Sequence, residues 1–204
     1  MFIIMQVLKE EIREKIKKVA LDEFEKNGYQ KTTMRGIASK ANLAVGNLYR
    51  YFKNKDDLFD ILLQPAFKEI HRFISSFAHT EGDEFYIRKE KHNFIRAFEK
   101  ALIDIYSKHR AELVILLNGS KGSHMENARE EIVHIITDRM KQEIFPKMEN
   151  DIKPVDDFLA EVFSTSFIEG ISLVLSKYRD KEKTKELFVK YIQIYFKYFL
   201  DELK

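Results

Sequence analysis

The chain has 204 residues, of which 45% are hydrophobic and 33% are charged, with only seven glycines and three prolines. This composition provides enough apolar residues for one small and one medium packed domain, and the scarcity of glycine and proline favours an all-α fold. The chain contains no cysteine, which excludes a disulfide scaffold, a thiolate metal site and a cysteine nucleophile.

Charge is distributed unevenly along the chain. Residues 1–55 contain 12 basic and 6 acidic residues, a net charge of +6, whereas residues 56–204 contain 23 basic and 27 acidic residues, a net charge of −4. A basic N-terminal part joined to a mildly acidic remainder suits a DNA-binding domain attached to a domain with another task. We therefore predict two domains, residues 1–60 and residues 61–204.

The N-terminal segment MFIIMQVL is apolar, but it lacks the basic region and the small-residue cleavage site of a signal peptide. Met5 is an alternative start. No stretch reaches ~18 uninterrupted apolar residues, which predicts a soluble, cytoplasmic protein that does not bind a membrane. The first predicted helix covers residues 9–27 and stops at Gly28.

Residues 31–55 include six basic residues and no acidic residue. Within this run, Thr33 can N-cap a short helix that starts at Met34, and Asn42 suits a left-handed turn. A second helix is predicted over residues 45–52, because apolar residues recur there at helical spacing. This pattern predicts a helix-turn-helix over about residues 33–52, with amide, phenol and guanidinium groups exposed on its second helix.

An acid-free surface of this kind suits a polyanionic partner, although an ordinary helical hairpin with a solvated basic face has the same charge pattern. The order of residues in TTMRGIASKANLAVGNLYRYFKNKDDLF separates the two interpretations. It resembles the DNA-binding signature of the tetracycline-repressor (TetR) family of bacterial transcriptional regulators. The similarity covers roughly residues 10–59. This sequence departs from the family pattern at two positions. Ala44 stands where a capping Ser or Thr is frequent, and Val45 stands where a polar or basic residue is frequent.

The resemblance implies an N-terminal three-helix DNA-binding domain followed by a helical domain for ligand binding and dimerisation. We predict that the second helix of the motif enters the major groove. The predicted phosphate contacts are Thr33, Tyr51, Lys53 and Lys55. The predicted base contacts are Arg35, Asn47, Tyr49 and Arg50. Val45 and Gly46 complete the predicted interface, since a bare first turn at Gly46 allows a close approach to DNA.

Six further helices are predicted downstream, over residues 54–79, 84–107, 111–118, 125–148, 157–178 and 185–203. Asn54 starts the first of them, and Pro65 is expected to kink it. A break is expected near His109, and Thr184 is predicted to cap the last helix. Residues 118–123, NGSKGS, are predicted to form a flexible loop. The overlapping GSHM at residues 122–125 resembles the remnant of a cloning tag, but its internal position argues for coincidence.

The last two predicted helices are richer in large apolar residues than one buried face requires. They form either a deeply buried core pair or a subunit interface, and members of the TetR family usually dimerise through these helices. The predicted dimer residues are Phe167, Gly170, Ile171, Val174, Tyr191, Tyr195 and Tyr198.

Aromatic residues of the second domain either form its core or line a small-molecule pocket. The resemblance favours a pocket, because these regulators commonly bind an inducer there. The predicted pocket residues are Phe94, Phe98, Tyr106, Asn118, Phe163 and Phe167, and the predicted effector is largely apolar.

No pattern indicates an enzyme. The histidines lack paired ligand spacing, and the chain has no nucleophile elbow, no phosphate-binding glycine loop and no distinctive carboxylate pair. We therefore predict no catalytic residue, metal site or cofactor. The predicted function is that of a homodimeric repressor which binds a palindromic operator in double-stranded DNA and is released by an effector. The alternative is an all-helical small-molecule-binding or enzymatic protein with an incidental basic hairpin.

Overall fold

The structure is a computed structural model that describes residues 2–77, 88–144, 157–178 and 180–201. Every regular element in these ranges is helical, which confirms the all-α fold. The helices are α1 (Phe2–Lys31), α2 (Met34–Lys40), α3 (Val45–Leu48), α4 (Lys55–Phe77), α5 (Arg88–Asn118), α6 (Ala128–Arg139), α7 (Asp157–Lys177) and α8 (Lys181–Asp201). A π-helical turn, Met140–Ile144, directly follows α6.

The chain forms two compact units. The first consists of Met1–Phe67 and Ala111–Ala128, and the second consists of Lys68–Arg110 and Arg129–Lys204. The first unit therefore includes a segment that lies far along the sequence. Helix α4 continues through Pro65 as one helix. The division proposed at residue 60 and the kink proposed at Pro65 stay predictions.

The first unit is built around a core shared by its helices. The side chains with no exposed surface include Ile16, Ala20, Phe24, Ile37, Ala38, Ala41, Leu48, Leu58, Phe59 and Leu63. The rings of Phe24 and Phe59 meet edge to face with centroids 4.9 Å apart, and Tyr29 meets Phe59 at the same separation. Burying each large aliphatic or aromatic side chain contributes about 1.5–3 kcal/mol, so this cluster holds α1 and α4 together.

Two predicted helix interruptions are present. Gly28 has φ 69°, a left-handed conformation that glycine adopts without penalty, and it breaks the regular part of α1 before a final turn to Lys31. His109 has φ −130° and interrupts α5, as the sequence pattern predicted. Helix α1 also starts earlier than predicted, at Phe2.

The start of α8 corrects a prediction. The capping residue is Asp180, whose carboxylate accepts a hydrogen bond from the Lys183 amide at 2.7 Å. Thr184, predicted to be the cap, is buried and donates its hydroxyl hydrogen to the Asp180 carbonyl at 2.7 Å. The helix therefore begins four residues before its predicted start, because aspartate caps as well as threonine and comes first in the chain.

Helices α7 and α8 pack closely at Gly170. A Cβ atom built on Gly170 would lie 2.3 Å from Cζ and from the phenol oxygen of Tyr191. The single hydrogen of that phenol is shared between the carbonyl oxygens of Ser166 and Phe167, which lie 3.0 Å and 3.1 Å from the phenol oxygen. The absence of a side chain at Gly170 thus allows the Tyr191 ring to reach the backbone of α7.

Helix α7 is apolar enough, by length and composition, to cross a membrane, and among the described helices this holds for residues 158–177 alone. A single helix of this kind is weak evidence for a membrane span. The face with Phe167, Ile171 and Leu175 is buried within the chain, as in the core helix of a globular domain.

Candidate nucleic-acid interface

The turn between α2 and α3 has the predicted local chemistry. The Thr33 hydroxyl accepts a hydrogen bond from the Gly36 amide at 3.1 Å, which confirms Thr33 as the N-cap of α2. Asn42 has φ 58°, which confirms the left-handed turn. The Leu43 amide then donates to the Ala38 carbonyl at 2.9 Å and closes the corner. These contacts set the direction in which α3 leaves the turn.

Helix α3 is shorter than predicted. Its regular part ends at Leu48, and hydrogen-bonded turns continue to Phe52, whose amide donates to the Leu48 carbonyl at 3.2 Å. No side chain caps its start at Ala44, as the departure from the family pattern indicated. Leu48 and Phe52 are buried, so the segment is held by its apolar side and presents the other side to solvent.

Most of the predicted DNA-contact residues lie on the exposed side. Those with exposed side chains are Thr33, Arg35, Asn47, Tyr49, Arg50 and Lys53, and Gly46 is also exposed. A Cβ atom at Gly46 would meet nothing within 4 Å, so the backbone there is open to a partner. Val45 and Tyr51 are half-buried. Across the described side chains, no ion pair engages Arg35, Arg50 or Lys53.

Two of the six basic residues within residues 31–55 form contacts within the chain. Lys40 forms an ion pair with Glu23, which is buried on α1. The Lys55 ammonium donates to the carbonyls of Tyr29 at 2.8 Å and Thr32 at 3.1 Å. It also lies 3.8 Å from the centroid of the Tyr29 ring. Burial lowers the pKa of Lys55, and the nearby Asp56 opposes that shift.

The start of α4 is fixed by reciprocal hydrogen bonds. The Asn54 side chain accepts from the Asp57 amide at 2.8 Å, and the Asp57 carboxylate accepts from the Lys53 amide at 2.9 Å. Next to them the Tyr29 phenol donates to Asp56 at 2.5 Å. Burial, followed by this hydrogen bond to Asp56, raises the pKa of Tyr29 to about 12. The hydrogen bond between Tyr29 and Asp56 therefore ties α1 to α4.

In the second unit, the structure brings some of the predicted pocket residues together. Phe98 lies 6.1 Å from Phe167 between ring centroids, and Tyr106 stacks on Phe188 at 5.8 Å. Phe163 is half-buried on α7. The side chain of Phe94 lies outside the described residues. Asn118 is exposed and belongs to the first unit, and its assignment to the pocket stays a prediction.

Buried polar atoms of Glu99 and Tyr106, both on α5, were not identified from the sequence. Among the described residues, the Tyr106 phenol and Oε1 of Glu99 have no hydrogen-bond partner, although both atoms are inaccessible to solvent. A buried polar group without a partner costs about 1–3 kcal/mol, so such atoms mark places where a water or a ligand completes the structure. Their seven-residue spacing, which puts both on one face of α5, is the signal that could have identified them.

The predicted dimer residues are largely used within one chain. Phe167 is 6% exposed, as is Ile171, and Tyr191 and Tyr195 both donate their phenol hydrogens to backbone carbonyls of α7. Gly170 lies beneath the Tyr191 ring. Val174 is half-buried, and the side chain of Tyr198 lies outside the described residues.

Other large apolar side chains of the same helices are exposed instead. They are Phe158 at 66%, Leu159 at 43%, Val162 at 41%, Leu173 at 59% and Ile194 at 60% exposure. Phe158, Val162 and Leu173 recur at helical spacing on the side of α7 opposite its buried stripe. Dividing α7 into two apolar stripes before assigning the interface would have separated these residues from the intrachain set.

Comparisons with known proteins agree with this geometry. The sequence model described as bacterial regulatory proteins, tetR family, matches residues 16–62. The chain is 40% identical over 55 residues to the HTH-type transcriptional regulator YhgD of Bacillus subtilis, which covers 27% of this chain and 29% of that protein. It is 28% identical over 131 residues to the HTH-type transcriptional regulator QacR of Staphylococcus aureus, covering 61% of this chain and 68% of QacR.

Solved structures share the fold over most of the chain. A TetR-family transcriptional regulator from Bordetella parapertussis superposes with a TM-score of 0.64 at 20% identity, and the superposition covers 91% of this chain and 94% of that chain. The family sequence model is thus confined to residues 16–62, around the helix-turn-helix, whereas the similarity in fold includes the helical remainder.

Proposed function

We propose that this chain, whose residues 16–62 match the sequence model of the TetR family of bacterial regulatory proteins, is a sequence-specific DNA-binding transcriptional regulator. In this proposal it binds a palindromic operator as a homodimer and acts as a repressor that a small-molecule effector releases. A regulator of this kind works on chromosomal DNA, so we place it in the cytoplasm.

The observation that carries the proposal is the exposed surface of the helix-turn-helix. Arg35, Asn47, Tyr49 and Arg50 are all exposed, and residues 31–55 contain no acidic residue that would repel phosphate. Guanidinium and amide groups hydrogen-bond to base edges in the major groove, and lysines neutralise phosphates without reading sequence. We assign Arg50 to base recognition and Lys53 to the phosphate backbone.

Binding to a fragment that carries an inverted repeat from the protein's own upstream region, measured at several salt concentrations, tests the proposal. Arg50→Ala should lose roughly 1–3 kcal/mol of discrimination between this fragment and random DNA. Lys53→Ala, the matched control, should weaken binding to both DNAs equally and reduce the salt dependence. Equal affinity of the wild type for both DNAs at every salt concentration would refute sequence-specific binding and favour the alternative, an incidental basic hairpin.

We assign Lys55 to the fold and not to phosphate binding. Two of its three ammonium hydrogens already point to the carbonyls of Tyr29 and Thr32, and moving the group to DNA would give up both charge-assisted hydrogen bonds. The contribution of Lys55 to DNA binding is then indirect, through the position of the turn that precedes α2.

An effector in the second unit should have an apolar body and at least one hydrogen-bonding group. The rings of Phe98 and Phe167 supply apolar surface, whereas the Tyr106 phenol and Glu99 have unused hydrogen-bonding capacity. A thermal-shift screen of such compounds, followed by Tyr106→Phe, tests this assignment. The variant should weaken binding of compounds with a polar group more than binding of their apolar analogues, and equal effects on both would exclude Tyr106 from the site.

For the dimer we propose the exposed apolar residues of α7 and α8 as the contact surface, in place of the residues that pack within the chain. Phe158, Val162, Leu173 and Ile194 would lose their exposed apolar area on association, which is a favourable free-energy change. The predicted residues Phe167, Tyr191 and Tyr195 then support the interface from behind by holding α7 against α8.

A further inference from the structure

The loop at residues 119–127 is an ordered part of the first unit. The Tyr29 amide, at the end of α1, donates to the Gly119 carbonyl at 2.8 Å. Gly122 has φ 84°, and a Cβ atom there would lie 2.6 Å from Cγ of Gln30, so the loop backbone approaches α1 closely. Ser123 and Met125 are buried. The loop predicted to be flexible is therefore seated against α1.

His124 extends this contact to α4. Its Nε2 atom lies 2.5 Å from Oδ1 of Asp60, and its Nδ1 atom lies 3.7 Å from Oδ1 of Asp56. The two aspartates are four residues apart on α4, where like charges destabilise a helix. A protonated imidazole between them compensates both charges and attaches the loop to the first turns of α4. The GSHM segment is thus built into the fold.

A short series of contacts leads from His124 to the helix-turn-helix. Asp56 accepts the phenol hydrogen of Tyr29, and the carbonyls of Tyr29 and Thr32 accept hydrogen bonds from Lys55. Thr33, the next residue, caps α2. The end of α1, the loop and the start of α4 therefore share one polar network that ends at the first residue of the motif.

We propose that His124 is a positioning residue for DNA binding, which in its protonated form pins the 119–127 loop and the end of α1 to α4. Histidine is the side chain that ordinarily changes charge between about pH 5 and pH 8. Loss of its proton removes the positive charge that faces Asp60 and, at longer range, Asp56, so the turn before α2 is held less firmly. Operator affinity should then fall as pH rises through this range. The proposal rests on the proposed DNA-binding function.

Other charged and titratable groups surround the imidazole. On α4 these groups are Asp56, Asp60 and Lys55, whose ammonium lies over the Tyr29 ring. On α1 the group is the Tyr29 phenol. The loop itself carries Lys121 and Glu126, and the Glu126 carboxylate accepts a hydrogen bond from the Gly122 amide at 3.0 Å. Of these side chains, aspartate, glutamate, tyrosine and lysine ordinarily keep their charge states between about pH 6 and pH 8.

Two substitutions separate charge from structure at this position. His124→Lys keeps a cation that does not titrate in this range, whereas His124→Gln keeps a polar side chain and removes the charge. His134→Gln is the matched control, because His134 is an exposed histidine of the second unit that pairs with Asp138 on its own helix. Operator affinity of the full chain is measured by fluorescence anisotropy at constant ionic strength from about pH 6 to about pH 8.

Wild type and His134→Gln should lose about two- to fivefold in affinity over this range, since a partly exposed ion pair has an effect of that size. His124→Lys should stay near the low-pH affinity, and His124→Gln should stay near the high-pH affinity. A His124→Gln variant with the wild-type pH profile would overturn the proposal.

Hydrogen exchange of the Tyr29 amide in the free protein gives a readout without DNA. After correction for the intrinsic effect of pH on exchange, protection in the wild type should fall as pH rises and should not change in His124→Lys. Equal protection in wild type and His124→Gln at every pH would also overturn the proposal. Absence of operator binding by all variants, combined with the expected exchange pattern, would refute the proposed function and retain the pinning contact.

Discussion

At the residue scale, Lys55 and Lys53 lie two positions apart and should give opposite mutational results. Lys55→Ala removes two charge-assisted hydrogen bonds to carbonyls and should lower the free energy of unfolding by roughly 1–3 kcal/mol. Lys53→Ala changes an exposed side chain and should leave that free energy within about 0.5 kcal/mol of wild type. Urea denaturation compares the two variants. If Lys55→Ala were as stable as Lys53→Ala, Lys55 would not have the structural role assigned to it, and it would again be a predicted phosphate contact.

Because of Tyr29, the free energy of unfolding should depend on pH in the alkaline range. Its phenol has a pKa of about 12 in the folded chain, above its ordinary value of 10.0, because of burial and the hydrogen bond to Asp56. The unfolded chain therefore releases the proton first, and folding stability should fall as pH rises from about 10 to about 12. Tyr29→Phe lacks this proton and should be less stable than wild type below about pH 10, with the difference shrinking above it.

Denaturation of both proteins across this pH range measures the difference. The remaining tyrosines and lysines titrate in both proteins, so their effects cancel in the comparison. A stability difference that stays constant from about pH 9 to about pH 12 would contradict the assignment.

At the scale of the elements, the α7–α8 contact depends on the bare backbone at Gly170. Gly170→Ala places a methyl group where Cζ and the phenol oxygen of Tyr191 now lie, at 2.3 Å. The ring can retreat only by giving up its hydrogen bonds to Ser166 and Phe167, so we expect a loss of roughly 1–3 kcal/mol in unfolding free energy.

Gly46→Ala is the control for this loss, because a Cβ atom there meets nothing within 4 Å. Alanine is favoured over glycine inside a helix by about 0.5–1 kcal/mol, so this variant should be as stable as wild type or more stable. Thermal denaturation of the two variants distinguishes steric crowding from a general effect of adding a methyl group. Equal stabilities would show that α7 and α8 can separate at Gly170 without cost.

At the scale of the whole molecule, the exposed and buried stripes of α7 should respond differently to a charge. Leu173→Glu, at a position 59% exposed, should give a folded monomer with unchanged helix content. Phe167→Glu, at a position 6% exposed, should unfold the second unit, because a buried carboxylate lacks compensation. Sedimentation and circular dichroism separate these outcomes. A Leu173→Glu protein that stays dimeric at micromolar concentration would place the interface elsewhere.

The sequence by itself determined the fold class and the local structure of the helix-turn-helix. Thr33, Asn42 and Gly28 act through their own backbone or the next few residues, so their identities predict a cap, a left-handed turn and a helix break without tertiary information. The break at His109 and the extent of α7 were also predictable, because helical periodicity is a local property.

Only the tertiary structure decided which side chains are free to act. Lys55 and Lys53 look alike in the sequence, yet one hydrogen-bonds to the end of α1, 23 and 26 residues away, and the other is exposed. Phe167 and Leu173 are both large and apolar on one helix, and the packing of α8 determines which is buried. His124 meets Asp60 from 64 positions along the chain. Side-chain periodicity specifies the face of a helix, whereas the neighbour on that face depends on contacts between segments distant in sequence.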